Sequence, residues 1–152
     1  MTAPIPRLVL DTNVVLDCLL FRDPATRDLT RAMEMRQVQA LVHQVTLDEL
    51  ERVLAYPQCR LEVPEQREIF DRYQSLATRA QMPDGFGRET LLLPHAFPCC
   101  RDRDDQPFLA LAYHARAEGL VTKDKALLKL RKKARRFDVA ILAPGDLRLP
   151  MA

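Results

Sequence analysis

The sequence of 152 residues has little of what several classes of protein require. It contains no Trp and only four Gly, and aromatic residues make up 6% of the chain. So little glycine excludes a collagen-like chain. No apolar run approaches the roughly 20 residues of a membrane-spanning helix, and the N-terminus lacks the basic and apolar regions of a signal peptide. We therefore expect a soluble, cytoplasmic protein with no membrane association.

The sequence also lacks the motifs of several enzyme classes. It has no glycine-rich phosphate loop, no Gly-x-Ser-x-Gly motif and no Cys/His pair that would support a nucleophilic hydrolase. The four cysteines, at positions 18, 59, 99 and 100, match no zinc or redox spacing. Adjacent Cys99 and Cys100 cannot easily ligate one tetrahedral metal ion. We interpret the cysteines as small buried side chains or free thiols.

The composition that remains is that of a folded domain. Hydrophobic residues make up 47% of the chain and charged residues 29%, with a net charge of only +2. This length and apolar content suit one core, so we expect a single domain over residues 1–152. The small net charge does not by itself indicate a nucleic-acid-binding protein.

Strand and helix patterns alternate along the whole chain. Leu8-Val9-Leu10 is a short apolar run that is typical of a buried parallel strand. Further strands are expected at 38–42, 89–93, 120–122 and 139–142. Helices are expected at 13–20, 25–36, 46–55, 64–80, from Pro107 to Gly119, and at 125–133, with a loop over 94–105. This alternation predicts an α/β fold: a three-layer α/β/α sandwich with a mostly parallel sheet of about five strands.

Acidic residues follow the predicted strands. Asp11 comes directly after the first strand, Asp102–Asp105 come after the loop that follows the third, and Asp124 follows the fourth. Glu49 lies on the helix after the second strand. Because ligands of open α/β sheets bind beyond the carboxyl ends of the strands, we expect these acids to lie close together.

Each acid also has a purely structural interpretation. Asp11, Asp105 and Asp124 each precede a predicted helix, where an aspartate caps backbone N–H groups. Thr46-Leu47-Asp48-Glu49 fits a capping box, in which Glu49 reaches back to the first residue of the helix. Capping does not explain why the acids are expected at one place. Carboxylates within ~4–6 Å of one another repel, so such a cluster is unfavourable unless a cation is bound. Mg²⁺ and Mn²⁺ prefer such oxygen ligands.

Four segments resemble, in order, the four acidic motifs of PIN domains. They are Leu8–Val14 (LVLDTNV), Leu47–Leu54 (LDELERVL), Arg101–Leu109 (RDRDDQPFL) and Leu120–Asp124 (LVTKD). The resemblance runs from about residue 7 to residue 146. Within the family, the pattern is most similar to the branch described as toxin components of toxin–antitoxin systems.

The resemblance implies a PIN-like fold and a metal-dependent ribonuclease, in which water activated by Mg²⁺ or Mn²⁺ hydrolyses RNA phosphodiester bonds. By position, the principal acids of the family correspond to Asp11, Glu49 and Asp105, and the fourth to Asp124. Asp102 matches a recurrent acid of this branch, and a further acid stands at Asp104. Among the loop acids we favour Asp105 as the main metal ligand, then Asp102. For Glu49 the resemblance favours a metal role, which does not exclude capping.

The same resemblance indicates supporting residues beside the acids. Thr12 and Asn13 belong to the first motif and are expected to hold the loop and hydrogen-bond around Asp11. Thr122 belongs to the fourth motif and is expected to support the site in the same way. His43, His95 and His114 fall in unrelated contexts, and we interpret them as surface or packed side chains.

A basic run begins beside Asp124. Residues 123–136 carry eight basic residues against one acidic residue. A solvated helix face and contact with an RNA backbone are both consistent with this run. The residues expected to contact RNA are Lys123, Lys125, Lys129, Arg131, Lys132 and Lys133. Phe137 is the only aromatic residue near the run, so no base-stacking platform is predicted there.

Other functions fit the sequence less well. A haloacid-dehalogenase-like enzyme requires a second Asp at position 13, where Asn stands, and a response regulator requires an acidic pair where only Asp11 is present. A catalytically silent module that binds RNA or protein remains an alternative, although all four acidic positions are filled. The sequence leaves two biological roles open for such a nuclease: a toxin with a cognate antitoxin, and an RNA-processing enzyme without one. The resemblance implies a homodimer, in which the amphipathic helices 25–36 and 64–80 are expected to pair with a second copy.

Overall fold

Five short strands run parallel in one sheet in the computed structural model, which describes residues 4–149. The strands are β1 (Arg7–Leu10), β2 (Gln39–Val42), β3 (Ala77–Arg79), β4 (Gly119–Val121) and β5 (Ile141–Leu142). Their order across the sheet is β3-β2-β1-β4-β5, so β1 is central. Each neighbouring pair is parallel. Parallel strands need crossover connections, which explains why helices separate them along the chain.

Helices fill those connections. They are α1 (Thr12–Leu19), α2 (Arg27–Glu34), α3 (Gln44–Leu54), α4 (Val63–Leu76), α5 (Gln106–His114), α6 (Lys125–Leu128) and α7 (Arg131–Arg135). Three single-turn 3-10 helices, each with Pro at its first position, cover Pro24–Thr26, Pro57–Cys59 and Pro144–Asp146. The fixed φ of proline suits the first position of a helix. The predicted helix over 25–36 therefore consists of a 3-10 turn followed by α2.

The two faces of the sheet contact different helices. Successive side chains of a strand point to opposite faces. In β1, Leu8 and Leu10 belong to the core cluster that α1 to α4 complete, whereas Val9 belongs to the cluster built with α5, α6 and α7. All three side chains are at most 3% exposed. The three-layer α/β/α architecture predicted from the sequence is confirmed.

The third strand is not where the sequence predicts it. Residues 89–93 form no strand; the segment has only an isolated antiparallel bridge between Gly87 and Thr90. The third strand is β3, which pairs with β2 through Ala40 and Ala77. Helical periodicity runs on through Ala80, so the predicted helix over 64–80 includes β3. The helix ends at Leu76 because the next three residues pair with the sheet edge, a tertiary interaction that local periodicity does not report.

Element boundaries on both sides of β4 also differ from prediction. The helix expected over 125–133 is divided into α6 and α7. Gly119 does not end the preceding helix: α5 ends at His114, and Gly119 is the first residue of β4. A Cβ atom at Gly119 would lie 2.7 Å from Cδ1 of Leu142 on β5. A larger residue at position 119 would therefore require the Leu142 side chain to shift.

The cysteines agree with their interpretation from the sequence. Cys18, Cys59 and Cys100 are buried, Cys99 is exposed, and all four are free thiols. Among residues 4–149, no helix combines the length and the apolar character needed to cross a membrane.

Candidate active site

Six carboxylates line one cleft at the carboxyl end of the sheet. The cleft has a volume of about 430 Å³. Its acidic residues are Asp11, Glu49, Asp102, Asp104, Asp105 and Asp124. Because β1 and β4 are adjacent and parallel, the residues that follow them lie at the same edge. The structure therefore brings together every acid that the sequence analysis selected.

Asp11 is fixed at the bottom of the cleft. It follows β1, is only 4% exposed, and accepts a hydrogen bond of 2.9 Å from the Val14 amide at the start of α1. Its second carboxylate oxygen accepts a hydrogen bond from the Thr122 hydroxyl. Burial raises the pKa of Asp11, the Asp124 charge raises it further, and these hydrogen bonds oppose the shift. Asp11 is thus both a helix cap and a wall of the cleft.

Thr122 connects Asp11 to Asp124. The Thr122 side chain is fully buried beyond the end of β4, and its oxygen accepts a hydrogen bond of 3.0 Å from the Asp124 amide. Asp124 in turn caps α6, because its Oδ1 accepts a hydrogen bond of 2.7 Å from the Ala126 amide. One hydroxyl group therefore donates to one acid and accepts from the backbone of another. This geometry fits the supporting position predicted for Thr122.

Thr12 and Asn13 also line the cleft, at the first turn of α1. Asn13 is exposed, whereas Thr12 is 8% exposed. The Thr12 hydroxyl oxygen is buried and has no hydrogen-bond partner within residues 4–149. A buried polar atom without a partner costs free energy, so it indicates a place for a polar ligand or an ordered water.

Glu49 does not close the capping box that the sequence predicts. Helix α3 begins at Gln44 and is capped by His43, whose ring nitrogen accepts from the Val45 amide. Thr46 occupies the third position, and its hydroxyl oxygen accepts a hydrogen bond from the His43 amide. The capping box thus starts three residues earlier than expected. Glu49 lies in the next turn, where capping does not explain its presence.

Instead, the Glu49 side chain faces the cleft and forms an ion pair with Arg52, one helical turn further along α3. Burial raises the pKa of Glu49, and the charge of Arg52 opposes that shift. Arg52 also lies 3.1 Å from Asp104, which in turn lies 3.0 Å from Arg88. The sequence analysis missed Arg52; its spacing of three residues from Glu49 was the available signal.

The three loop acids have different surroundings. Asp104 is held by the two arginines, and Asp102 accepts a hydrogen bond of 2.9 Å from the Asp104 amide. Asp105 precedes α5 but its side chain caps no backbone amide. Burial raises its pKa to about 7, and the charges of Asp102, Asp124 and Asp11 act in the same direction. Asp105 is therefore the loop acid that shares a site with the strand acids.

A comparison with known families agrees with this arrangement. A family model described as a PIN domain matches residues 7–126, which include all six carboxylates of the cleft. The chain belongs to the PIN-domain family. A search among curated proteins found no match. The family predicted from the four acidic segments is confirmed. The chain therefore has the nuclease-type fold of PIN domains.

The donor set of this PIN domain fits a hard divalent cation, as PIN domains generally use. All six acidic groups offer oxygen ligands, and neighbouring carboxylates repel one another unless a cation lies between them. Within residues 4–149, however, no three His, Cys, Asp or Glu side chains stand in an arrangement ready to hold a metal ion. Glu49 and Asp104 instead form ion pairs with Arg52.

The basic run of the PIN domain lies on α6 and α7, and its members are not equivalent. Lys123 lies 2.5 Å from Asp17 and 3.4 Å from Asp23. Arg131 lies 2.6 Å from Asp146. Four exposed lysines of the run have no carboxylate within 4.0 Å in the described part of the chain: Lys125, Lys129, Lys132 and Lys133.

The histidines do not contribute to the cleft. His43 caps α3, and the Nε2 atom of His114 lies 2.8 Å from the carbonyl oxygen of Leu91. His95 is exposed on the loop before α5. The lining of the cleft includes none of the three.

Proposed function

We propose that this PIN domain is a divalent-metal-dependent endoribonuclease that hydrolyses RNA phosphodiester bonds. The observation that carries the proposal is that Asp11, Glu49, Asp105 and Asp124, from four separate parts of the chain, line one cleft. Asp11 and Asp105, with Asp124, Glu49 and Asp102, would hold Mg²⁺ or Mn²⁺. Such an ion, when bound, orients and activates a water molecule at a phosphodiester.

The side chains themselves contribute orientation and charge. Thr122 and the first turn of α1 engage both carboxylate oxygens of Asp11, and the first turn of α6 engages one oxygen of Asp124. The orientation of the two side chains therefore does not depend on a ligand. Thr12 and Asn13 line the same end of the cleft and offer polar atoms to groups bound there. Arg52 balances the charge of Glu49 and Asp104.

The basic surface of α6 and α7 supports binding of a phosphate backbone. We propose that Lys125, Lys129, Lys132 and Lys133 contact RNA, and that Lys123 and Arg131 contribute less because they have carboxylate partners. Replacing Lys132 and Lys133 with Gln should weaken RNA binding. It should also flatten the logarithmic dependence of affinity on salt concentration, by roughly 0.7 for each lost contact to a single strand. An unchanged slope would assign these lysines to a solvated surface.

The biological setting is a finer proposal. We propose that the protein acts in the cytoplasm as the toxin of a type II toxin–antitoxin pair, as a homodimer, with a small antitoxin that covers the acidic cleft. The alternatives are an RNA-processing nuclease without an antitoxin and a catalytically silent binding module. One observation favours the silent module: arginine is paired with Glu49 and with Asp104, so two of the carboxylates are already occupied.

Cleavage of a mixed panel of structured and single-stranded RNAs tests the proposal. The reactions would contain Mn²⁺, Mg²⁺ or EDTA, and the Asp11→Asn variant would be purified alongside. We expect metal-dependent cleavage that the variant lacks. No cleavage together with no metal-induced rise in melting temperature would favour the binding module. No cleavage with a clear rise would indicate a genuine metal site whose RNA target is missing from the panel.

A further inference from the structure

Two exposed aromatic side chains line the acidic cleft. The chain has six Phe and three Tyr, and only Phe21 and Tyr56 among them are exposed, at 58% and 42%. Both belong to the lining of the cleft that holds the carboxylates. The other exposed large apolar side chains within residues 4–149 are aliphatic, and none of them lines this cleft: Ile5, Met35, Val63 and Leu92. The exposed aromatic rings are thus confined to the acidic cleft.

Hydrogen bonds fix the backbone at both aromatic residues. Phe21 follows α1, and its amide donates a hydrogen bond of 2.9 Å to the carbonyl of Leu16, which also lines the cleft. Tyr56 follows α3, and its amide donates a hydrogen bond of 3.0 Å to the carbonyl of Val53, another lining residue. Pro57 keeps Tyr56 in an extended conformation, which prevents α3 from continuing. Neither ring contributes to the core, so stability does not explain their placement.

We propose that Phe21 and Tyr56 stack on unpaired bases of the RNA strand whose phosphate lies at the carboxylates. The inference rests on the proposed ribonuclease function and assigns two positioning residues to it. Aromatic rings stack on any base, and they do so only where the bases are not already paired in a duplex. Stacking on both sides of one nucleotide step would hold the backbone between them in a defined position.

The charges beside the rings suit a nucleic acid better than an apolar partner. Arg22 follows Phe21 directly and lines a second hollow with Arg27 and Arg31. None of these three guanidinium groups has a carboxylate within 4.0 Å among residues 4–149. The two carboxylates of that hollow, Asp23 and Glu34, are paired with Lys123 and Arg72. Exposed Arg60 lies beyond Tyr56 in the chain. Unpaired arginines beside exposed rings can contact the phosphates on either side of the stacked bases.

Binding of two matched oligonucleotides tests the proposal without depending on cleavage. One probe is a fluorescent oligouridylate of about twelve nucleotides, longer than the smallest site sizes of single-strand binders. The other is a ribose-phosphate oligomer of the same length without bases. Fluorescence anisotropy would be measured in Ca²⁺, which takes the same oxygen ligands as Mg²⁺. The variants are Phe21→Ala, Tyr56→Ala and the pair together, with Met35→Ala and Val63→Ala as controls that are also exposed but lie outside the cleft.

We expect each aromatic variant to bind oligouridylate at least about fivefold more weakly, as alanine substitution at stacking positions does. Binding of the baseless probe should not change, and Tyr56→Phe should retain wild-type affinity for both probes. The proposal is overturned if the variants weaken both probes equally, if they weaken neither, or if the wild-type protein does not distinguish the probes. Unchanged RNA binding would point to a protein partner on the two rings.

The result separates this inference from the proposed function. Base-dependent binding lost in the variants would support stacking even if no RNA in the panel is cleaved. Metal-dependent cleavage by the wild-type protein, with binding unaffected by loss of either ring, would overturn stacking and leave the nuclease in place.

Discussion

The two sides of the acidic cleft are built differently. On the strand side, Asp11 and Asp124 accept hydrogen bonds from backbone amides, and the Thr122 hydroxyl joins them. On the opposite side, Glu49 and Asp104 are paired with arginine side chains. Backbone contacts fix a carboxylate as firmly as the sheet itself, whereas an ion pair with a partly exposed arginine can be replaced by another cation. If a divalent cation binds as proposed, the strand side would supply carboxylates already held in position, and the other side would supply carboxylates whose arginine partners the cation must displace.

The largest expected difference between the two sides is in catalysis. Asp11→Asn should reduce cleavage by more than the roughly 10–100-fold that is typical for residues outside the first ligand layer of a metal. Asp104→Asn should reduce it by less than tenfold, because two arginines already neutralise Asp104. Asp11→Asn should fold because Asn keeps an oxygen that accepts from the Val14 amide, and Asp104→Asn should fold because the Asp104 side chain is 41% exposed. Equal losses in the two variants, measured as initial rates on one RNA, would remove the distinction between the sides.

Thr122 tests whether the strand side depends on its shared hydroxyl. Thr122→Val should lower cleavage by about 10–100-fold and stability by about 1–3 kcal/mol, because it leaves buried polar groups without a partner. Thr122→Ser keeps the hydroxyl and should retain most of both. Chemical denaturation and cleavage rates would be measured for the three proteins. A valine variant as active and as stable as the wild-type protein would contradict a role for the hydroxyl, and a serine variant as impaired as the valine variant would show that the hydroxyl alone does not account for the effect.

Asp105 predicts how the metal-free protein responds to pH. Its pKa is about 7 in the folded protein against an ordinary value of 3.8. The folded state therefore binds the proton more tightly than the unfolded state does. The stability that this provides is fully present below about pH 4 and is lost as pH rises through about 7. In EDTA, the melting temperature should fall across this range, and Asp105→Asn should flatten the fall.

The pH profile also depends on added metal. Above about pH 7 the ionised carboxylates repel one another, so Mg²⁺ or Mn²⁺ should raise the melting temperature more at about pH 8 than at about pH 5. An Asp105→Asn profile that parallels the wild-type profile in EDTA would show that other groups cause the dependence.

The smallest expected effects concern the arginines. Arg52→Gln should destabilise the metal-free protein by up to about 1 kcal/mol, because the ion pairs are partly exposed. Arg88→Gln should cost less, since Arg88 pairs with a single carboxylate, that of Asp104, within residues 4–149. Saturating metal should shrink the Arg52→Gln deficit, because a bound cation replaces the missing charge beside Glu49. Thermal melts of both variants with and without Mn²⁺ would detect this; identical behaviour of the two variants would contradict a special position for Arg52.

Local sequence patterns predicted most of the fold but failed at the edge of the sheet. The strand at Leu8–Leu10 is central, apolar and flanked by turn residues, so its pattern is strong. Strand β3 is an edge strand of three residues with two exposed side chains, and it has no apolar alternation to detect. The segment 89–93 has apolar residues but no pairing partner in the sheet. Apolar content alone therefore predicted a strand in the wrong place.

The candidate site shows the same division. The identities of Asp11, Glu49, Asp105 and Asp124 follow from order and spacing along the chain. The register of the capping box before Glu49 did not, because the structure begins α3 at Gln44 and uses His43 as its cap, which is not a preferred capping residue. Phe21 and Tyr56 were also missed, since each lines the cleft from the residues just after a helix. Arg52 was missed because its ion pairs with Glu49 and Asp104 are made in the folded chain.

The sequence by itself determined the alternation of strands and helices, the family, and which acids meet at the carboxyl ends of the strands. These properties depend on short-range periodicity and on the direction of parallel strands, and short segments of the sequence are enough to indicate both. Only the tertiary structure decided that Asp104, unlike the neighbouring loop acids, is neutralised by Arg52 and Arg88, and that two exposed rings line the same cleft as the acids. Such pairings join residues far apart in sequence, and their strength depends on distance and burial in the folded chain.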